Sequence, residues 1–141
     1  MNFAQSATWC GQIEQLALDG LGASADQAAT YVQRTADLIE AAPDHVKNAV
    51  RGNWSQEGIT ALLELEAFEG AAIALLGSLP YMLSRSPGGE TVVTICVPGD
   101  EEELTCSASD TAIALCATLS LALLRLGAPP GWHKSHPSRA H

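Results

Sequence analysis

Positive charge is scarce in this sequence: seven Lys and Arg stand against 16 Asp and Glu, a formal net charge of -9 over 141 residues. Proteins grip DNA or RNA largely by releasing counterions to clustered Lys and Arg, and no basic arm or stripe is present here, so nucleic acid is not an expected partner. Anionic membrane surfaces are disfavoured for the same reason. Aromatic residues are few, at 5%. Trp54, Tyr81 and Trp132 are not spaced as a base-stacking platform and suit a core edge or an interface. The 12 glycines form neither GxGxxG after a strand nor a GxxxxGKS/T loop, which removes the common nucleotide folds.

Metal and thiol chemistry is poorly represented as well. Four cysteines, Cys10, Cys96, Cys106 and Cys116, include no CxxC pair, and their expected role is that of reduced, small apolar side chains. Cys10 beside Trp9 and His45 after Asp44 supply a thiol and a base, but catalysis needs the two in contact and a lowered thiol pKa. A carboxylate-bridged dimetal site would bring Glu-x-x-His pairs from neighbouring helices, and none occurs. His133, His136 and His141 sit in a tail without nearby carboxylates or cysteines. No metal, cofactor or catalytic residue is therefore assigned.

Long hydrophobic runs are also lacking, with one partial exception. Residues 111–124, TAIALCATLSLALL, carry no charge on any face and lie between Asp110 and Arg125. That run falls short of the roughly 20 apolar residues needed to cross a bilayer, so stable membrane insertion is not expected and a buried helix is. The N-terminus has no basic region ahead of a continuous apolar stretch, and Gln12, Glu14, Gln15 and Asp19 interrupt it. It does not read as a signal peptide.

What is present is a series of amphipathic segments with local stop signals. Residues 12–21 form one helical pattern ending at Gly20 or Gly22. Ser24 with Gln27 has capping-box spacing for a second, whose inner face carries Ala28, Tyr31, Thr35, Leu38 and Ile39. Pro43 opens a short helix over residues 44–51, and Asn53 with Gln56, or Ser55 alone, caps a long one over about 57–76. Residues 85–90, RSPGGE, read as a linker. Beyond it, ETVVTICVPGDEEELTCSAS alternates as a hairpin, with Val93 opposite Cys106, Ile95 opposite Leu104 and Val97 opposite Glu102. Ser107 with Asp110 has the spacing to start the last helix.

These patterns predict a mainly α fold: a compact helical bundle with a small antiparallel β-hairpin before the buried C-terminal helix. Residues 1–130 form a single domain, and 131–141 a polar, flexible tail. Within the long helix, Glu66 and Glu69 fall on the apolar face with Leu65, Leu62, Ile73 and Ile59, where carboxylates must be paired, hydrogen-bonded or raised in pKa. With Tyr31 and Tyr81 they are the candidate residues for a small ligand. The stronger theme is surplus apolar helix surface, which assigns Leu62, Ile73, Leu76, Leu119 and Leu123 to an interface. The sequence thus reads as a small structural or protein-interaction protein, acting as a homodimer or a subunit of another complex. Its alanine-rich, acidic composition is that of a bacterial cytoplasmic protein. The alternative is a ligand-binding protein or enzyme with an interhelical pocket.

Overall fold

A computed structural model describes residues 3–50, 52–99 and 103–128. Helix α1 spans Phe3–Gly20, and a 3-10 turn at Ala25–Gln27 leads into α2, Ala28–Glu40. Helices α3 (Asp44–Ala49), α4 (Gln56–Glu64) and α5 (Phe68–Leu76) follow. Strands β1 (Tyr81–Arg85), β2 (Thr91–Cys96) and β3 (Glu103–Ala108) precede α6, Thr111–Gly127. The fold is mostly helical, and among the described residues its sheet has three antiparallel strands in the order β1-β2-β3 rather than the two of a hairpin.

The helix starts follow their capping chemistry. The amide N–H of Ser24 donates to Gln27 Oε1 at 3.0 Å. Ser55 Oγ accepts from Gly58 N at 3.0 Å, so Ser55, not Asn53, caps α4. Asp110 Oδ2 accepts from Ile113 N at 3.0 Å and caps α6, while Ser107 stays in β3.

Helix α6 is the axis of the molecule. Helices α1, α2, α3 and α5 and strands β2 and β3 all pack on it. Every residue from Ala112 to Ser120 is buried. The apolar character of this helix is therefore met within one chain. Small side chains make the close approach possible: a methyl built on Gly20 would lie 3.2 Å from the Ala117 Cβ. Buried hydroxyls are satisfied by their own helices, with Thr118 Oγ1 donating to Ala114 O and Ser120 Oγ to Cys116 O, each at 2.7 Å.

The sheet lays one face on α6. Val93 pairs with Cys106 and Ile95 with Leu104, the register that the alternation specifies. Val93, Ile95, Val97 and Leu104 are buried, while Cys96, Glu103, Thr105 and Ser107 are exposed on the other side. Glu102, the expected partner of Val97, lies outside the described residues. The segment expected as a linker instead closes a second hairpin. Ser86 N donates to Glu90 O at 2.8 Å and Gly89 N to Ser86 O at 2.9 Å. Gly89 takes a φ of +88°, for which glycine is suited. This turn returns the chain so that Tyr81 pairs with Ile95, Leu83 with Val93 and Arg85 with Thr91.

The long fourth helix is divided. Leu65 ends α4, Glu66 adopts a left-handed φ of 58°, and α5 begins at Phe68. Ala67 N donates to Leu62 O at 2.8 Å and Glu66 N to Leu63 O at 3.0 Å, the paired bonds of a Schellman closure. A glutamate thus occupies the position that glycine usually takes. Among the described residues no helix is long and apolar enough to cross a membrane.

Candidate functional site

The break between α4 and α5 decides the fate of the two carboxylates. Because the helix does not continue through Glu66, residues on either side no longer share one wheel. Glu66 and Glu69 both end on the exposed surface rather than in an apolar face. The same break turns Leu65 outward, to 77% exposure. Tyr31 is instead buried in α2, where the Arg34 guanidinium lies 5.4 Å from its ring centroid. Burial, followed by the charge of Asp19, pushes the phenol of Tyr31 above its ordinary pKa. Arg34 also contacts Asp19 at 3.2 Å, an exposed pair. Tyr81 opens β1 and is exposed. The four candidate ligand residues therefore occupy a helix break, the first turn of α5, the core face of α2 and a sheet edge.

A shallow depression of about 410 Å³ exists elsewhere, lined by Ala4, Gln5, Thr8, Trp9 and Gln12 of α1 and by Ala41. None of the four candidate residues lines it. Trp9 is one of its lining residues, and its Nε1 donates to Leu38 O at 2.7 Å and is thereby engaged in the fold.

The thiol and imidazole raised by the sequence do not form a reactive pair. Cys10 Sγ donates to Gly127 O at 3.5 Å, and His45 Nε2 lies 3.2 Å from Leu126 O. Burial, helped by the charge of Glu14, pushes the Cys10 thiol up to about 11. An activated nucleophile needs the opposite shift. All four cysteines are free thiols, Cys10 and Cys116 buried, Cys96 exposed. Among the described residues no three His, Cys, Asp or Glu side chains gather as a metal site. The tail histidines lie outside those residues.

Of the five side chains assigned to an interface, Leu76, Leu119 and Leu123 are buried in the subunit's own core. They cannot also face a partner without the fold opening. Leu62 is half-buried, and Ile73 is exposed at the edge of α5. Surplus apolar helix surface points to such an interface, and α1, α2, α5 and the sheet cover that surface for α6.

Exposed large apolar side chains are scattered at Leu18 and Leu21 near the end of α1 and at Leu65 and Ile73, and they fall consecutively where the sequence shows no element. Every residue of β1 is exposed, including three consecutive apolar ones, Tyr81, Met82 and Leu83. A run of that kind on a surface marks function or an aggregation hazard. Odd residues of β1 share the helix side of the sheet with Val93 and Ile95. β2 and β3 are the strands that rest on α6, so β1 extends the sheet beyond its support. The signal in the sequence is the segment between Pro80 and the PGG turn, preceding a clear strand, but YMLSR carries no alternation to mark it.

No protein-family model matches this chain, and neither a curated protein nor a solved structure shows significant similarity to it.

Proposed function

We propose that this chain is a small cytoplasmic interaction protein, acting as a homo-oligomer or complex subunit, and that β1 is the surface through which it associates. The observation that carries this reading is the open strand of five exposed residues, three of them apolar and consecutive. Natural sheets guard such edges with charge, proline or a covering element because an unpaired strand recruits another chain. No acidic residue, lysine or proline interrupts YMLSR. The ligand or enzyme reading has less support, since Glu66 and Glu69 are exposed and their two tyrosine companions sit on other elements.

Sedimentation velocity on the full chain tests the proposal, with Leu83→Lys as the comparison. Association should raise the weight-average mass above 14.7 kDa as concentration increases, and the lysine, placed on the open edge, should reduce that rise. A mass fixed at 14.7 kDa to millimolar concentration would contradict self-association. An undiminished rise in the variant would move the interface away from β1.

A further inference from the structure

The backbone of β1 specifies which of its groups remain available. Cys96 N donates to Pro80 O at 3.0 Å, and Ser86 N donates to Glu90 O at 2.8 Å. In an antiparallel ladder, alternate residues direct both polar backbone groups toward the same neighbour. Pro80, Met82, Ser84 and Ser86 therefore turn toward β2. Tyr81, Leu83 and Arg85 turn their N–H and C=O groups outward, and among the described residues β1 has a neighbouring strand on one side only.

The two edges of the sheet also differ in chemistry. The exposed side chains of β3 are Glu103, Thr105 and Ser107, a charge and two hydroxyls. In β1 the only charge is Arg85 at its end, where Nη1 donates to Gly89 O at 3.1 Å. The chain carries a net charge of -9, yet this strand has no acidic side chain. A basic partner would be drawn elsewhere by charge, whereas a second copy meets the one edge at which its own acidic surplus is absent.

We infer that β1 pairs antiparallel with β1 of a second copy about a two-fold axis at Leu83, joining two three-stranded sheets into one of six strands. The inference rests on the association reading above and names its partner. Only registers that place outward residues opposite outward residues can form the ladder. The register centred on Leu83 uses all five positions: Leu83 meets its own counterpart, Met82 meets Ser84, and Tyr81 meets Arg85. It forms about six inter-strand hydrogen bonds, two for each outward-facing pair. It also separates the two arginines and puts each guanidinium beside a tyrosine ring, a favourable combination. Because the interface is isologous, one patch serves both copies.

The pairing is small. Five residues extend over about 17 Å, and such an edge covers only a few hundred Å² per copy, against about 800 Å² in a stable interface of standard size. A dissociation constant on the order of 100 µM is the corresponding expectation. Self-repulsion of two acidic chains makes association stronger, not weaker, as salt is raised from 20 to 300 mM.

Amide hydrogen exchange on the 15N-labelled full chain tests the register, read at 20 µM and 1 mM with the mass measured in parallel. Exchange at Tyr81, Leu83 and Arg85 should slow about fourfold between these concentrations, the drop in free monomer for that constant. Amides of Met82 and Ser84, already turned toward β2, should not respond. In Leu83→Lys the concentration dependence should vanish. A mass that rises while the three odd amides stay unprotected would overturn β1 pairing but leave association standing, and Leu65→Ser with Ile73→Ser would then locate the alternative surface. A strict monomer at 1 mM would overturn this inference together with self-association, leaving only a heterologous partner for the broader reading.

Discussion

Replacing Gly127 with alanine probes the packing that lets one chain cover α6. A methyl at Gly127 would lie 2.4 Å from Cζ3 and 3.2 Å from Cη2 of Trp9, and 3.2 Å from Cγ2 of Val46. Carbon atoms rest about 3.5–4.0 Å apart, so the indole must retreat by about 1 Å. It has little freedom to do so: Trp9 is 2% exposed, and its Nε1 is held by Leu38 O at 2.7 Å. Overpacking of a filled core costs about 1–3 kcal/mol. Alanine returns at most about 0.5–1 kcal/mol of helix propensity, and less at the last residue of a helix. The net loss should be about 1–2 kcal/mol, or about 2–4 °C in melting temperature per kcal/mol for a domain of this size. Urea unfolding followed by far-ultraviolet circular dichroism measures it, through the midpoint at unchanged slope. In a Trp9→Phe background the shorter ring vacates that space, and the same substitution should cost less than half as much. Wild-type stability of Gly127→Ala in the native background would refute the argument that α1 and α6 touch through this glycine.

Two further outcomes follow from burial and backbone geometry. Burial pushes the Cys10 thiol up to about 11 and the Cys116 thiol up to about 12, from 9.0 in the open chain. The folded protein then holds these protons after the unfolded chain has lost them, so their contribution is intact below pH 9 and falls as pH rises toward 11 and 12. The limiting slope is about 1.4 kcal/mol per pH unit for each thiol. Cys10→Ala should flatten the pH dependence measured by urea titration from pH 8 to 10.5; an unchanged slope would contradict the assignment. Glu66→Gly relieves a non-glycine residue held at a φ of 58°, worth about 1 kcal/mol, whereas Glu66→Ala leaves the strain. Thermal unfolding should therefore rank the glycine variant above the alanine variant, and the reverse order would show that the glutamate side chain itself holds the turn.

The sequence made elements visible where chemistry and periodicity agreed. Ser24 with Gln27, Ser55 and Pro43 mark helix starts through groups that act within three or four residues, and the Val93 and Ile95 register follows from alternation on two strands at once. Helix α1 begins at Phe3, well before the reading from residue 12, because Trp9 and Cys10 bury against the end of α6, a contact distant in the chain. The division of α4 from α5 was hidden because Glu66 replaces the glycine that normally announces a left-handed closure. That hidden break also misplaced Glu66 and Glu69 in an apolar face. Strand β1 is hidden in the sequence for a related reason: all five residues are exposed, so no alternation between core and solvent betrays the period of two. Its turn reads as a linker, since PGG interrupts periodicity equally in a hairpin and between domains. Leu119 and Leu123 of α6 read from the sequence as an interface with a partner, whereas they are buried within the subunit; the number of elements that reach α6 is a property of topology and not of any local pattern.

The most direct measurement of the central claim is symmetric cross-linking at Leu83. In a Cys96→Ser, Cys106→Ser background, Leu83→Cys would place two thiols across the axis, where opposed Cα atoms of a hydrogen-bonded pair lie about 5.5 Å apart, within disulfide reach. Under mild oxidation at 100 µM, disulfide dimer should form at least tenfold faster than for Leu65→Cys, whose site is more exposed (77% against 39%) and reports random collision. Equal rates at the two positions would contradict an association built on β1.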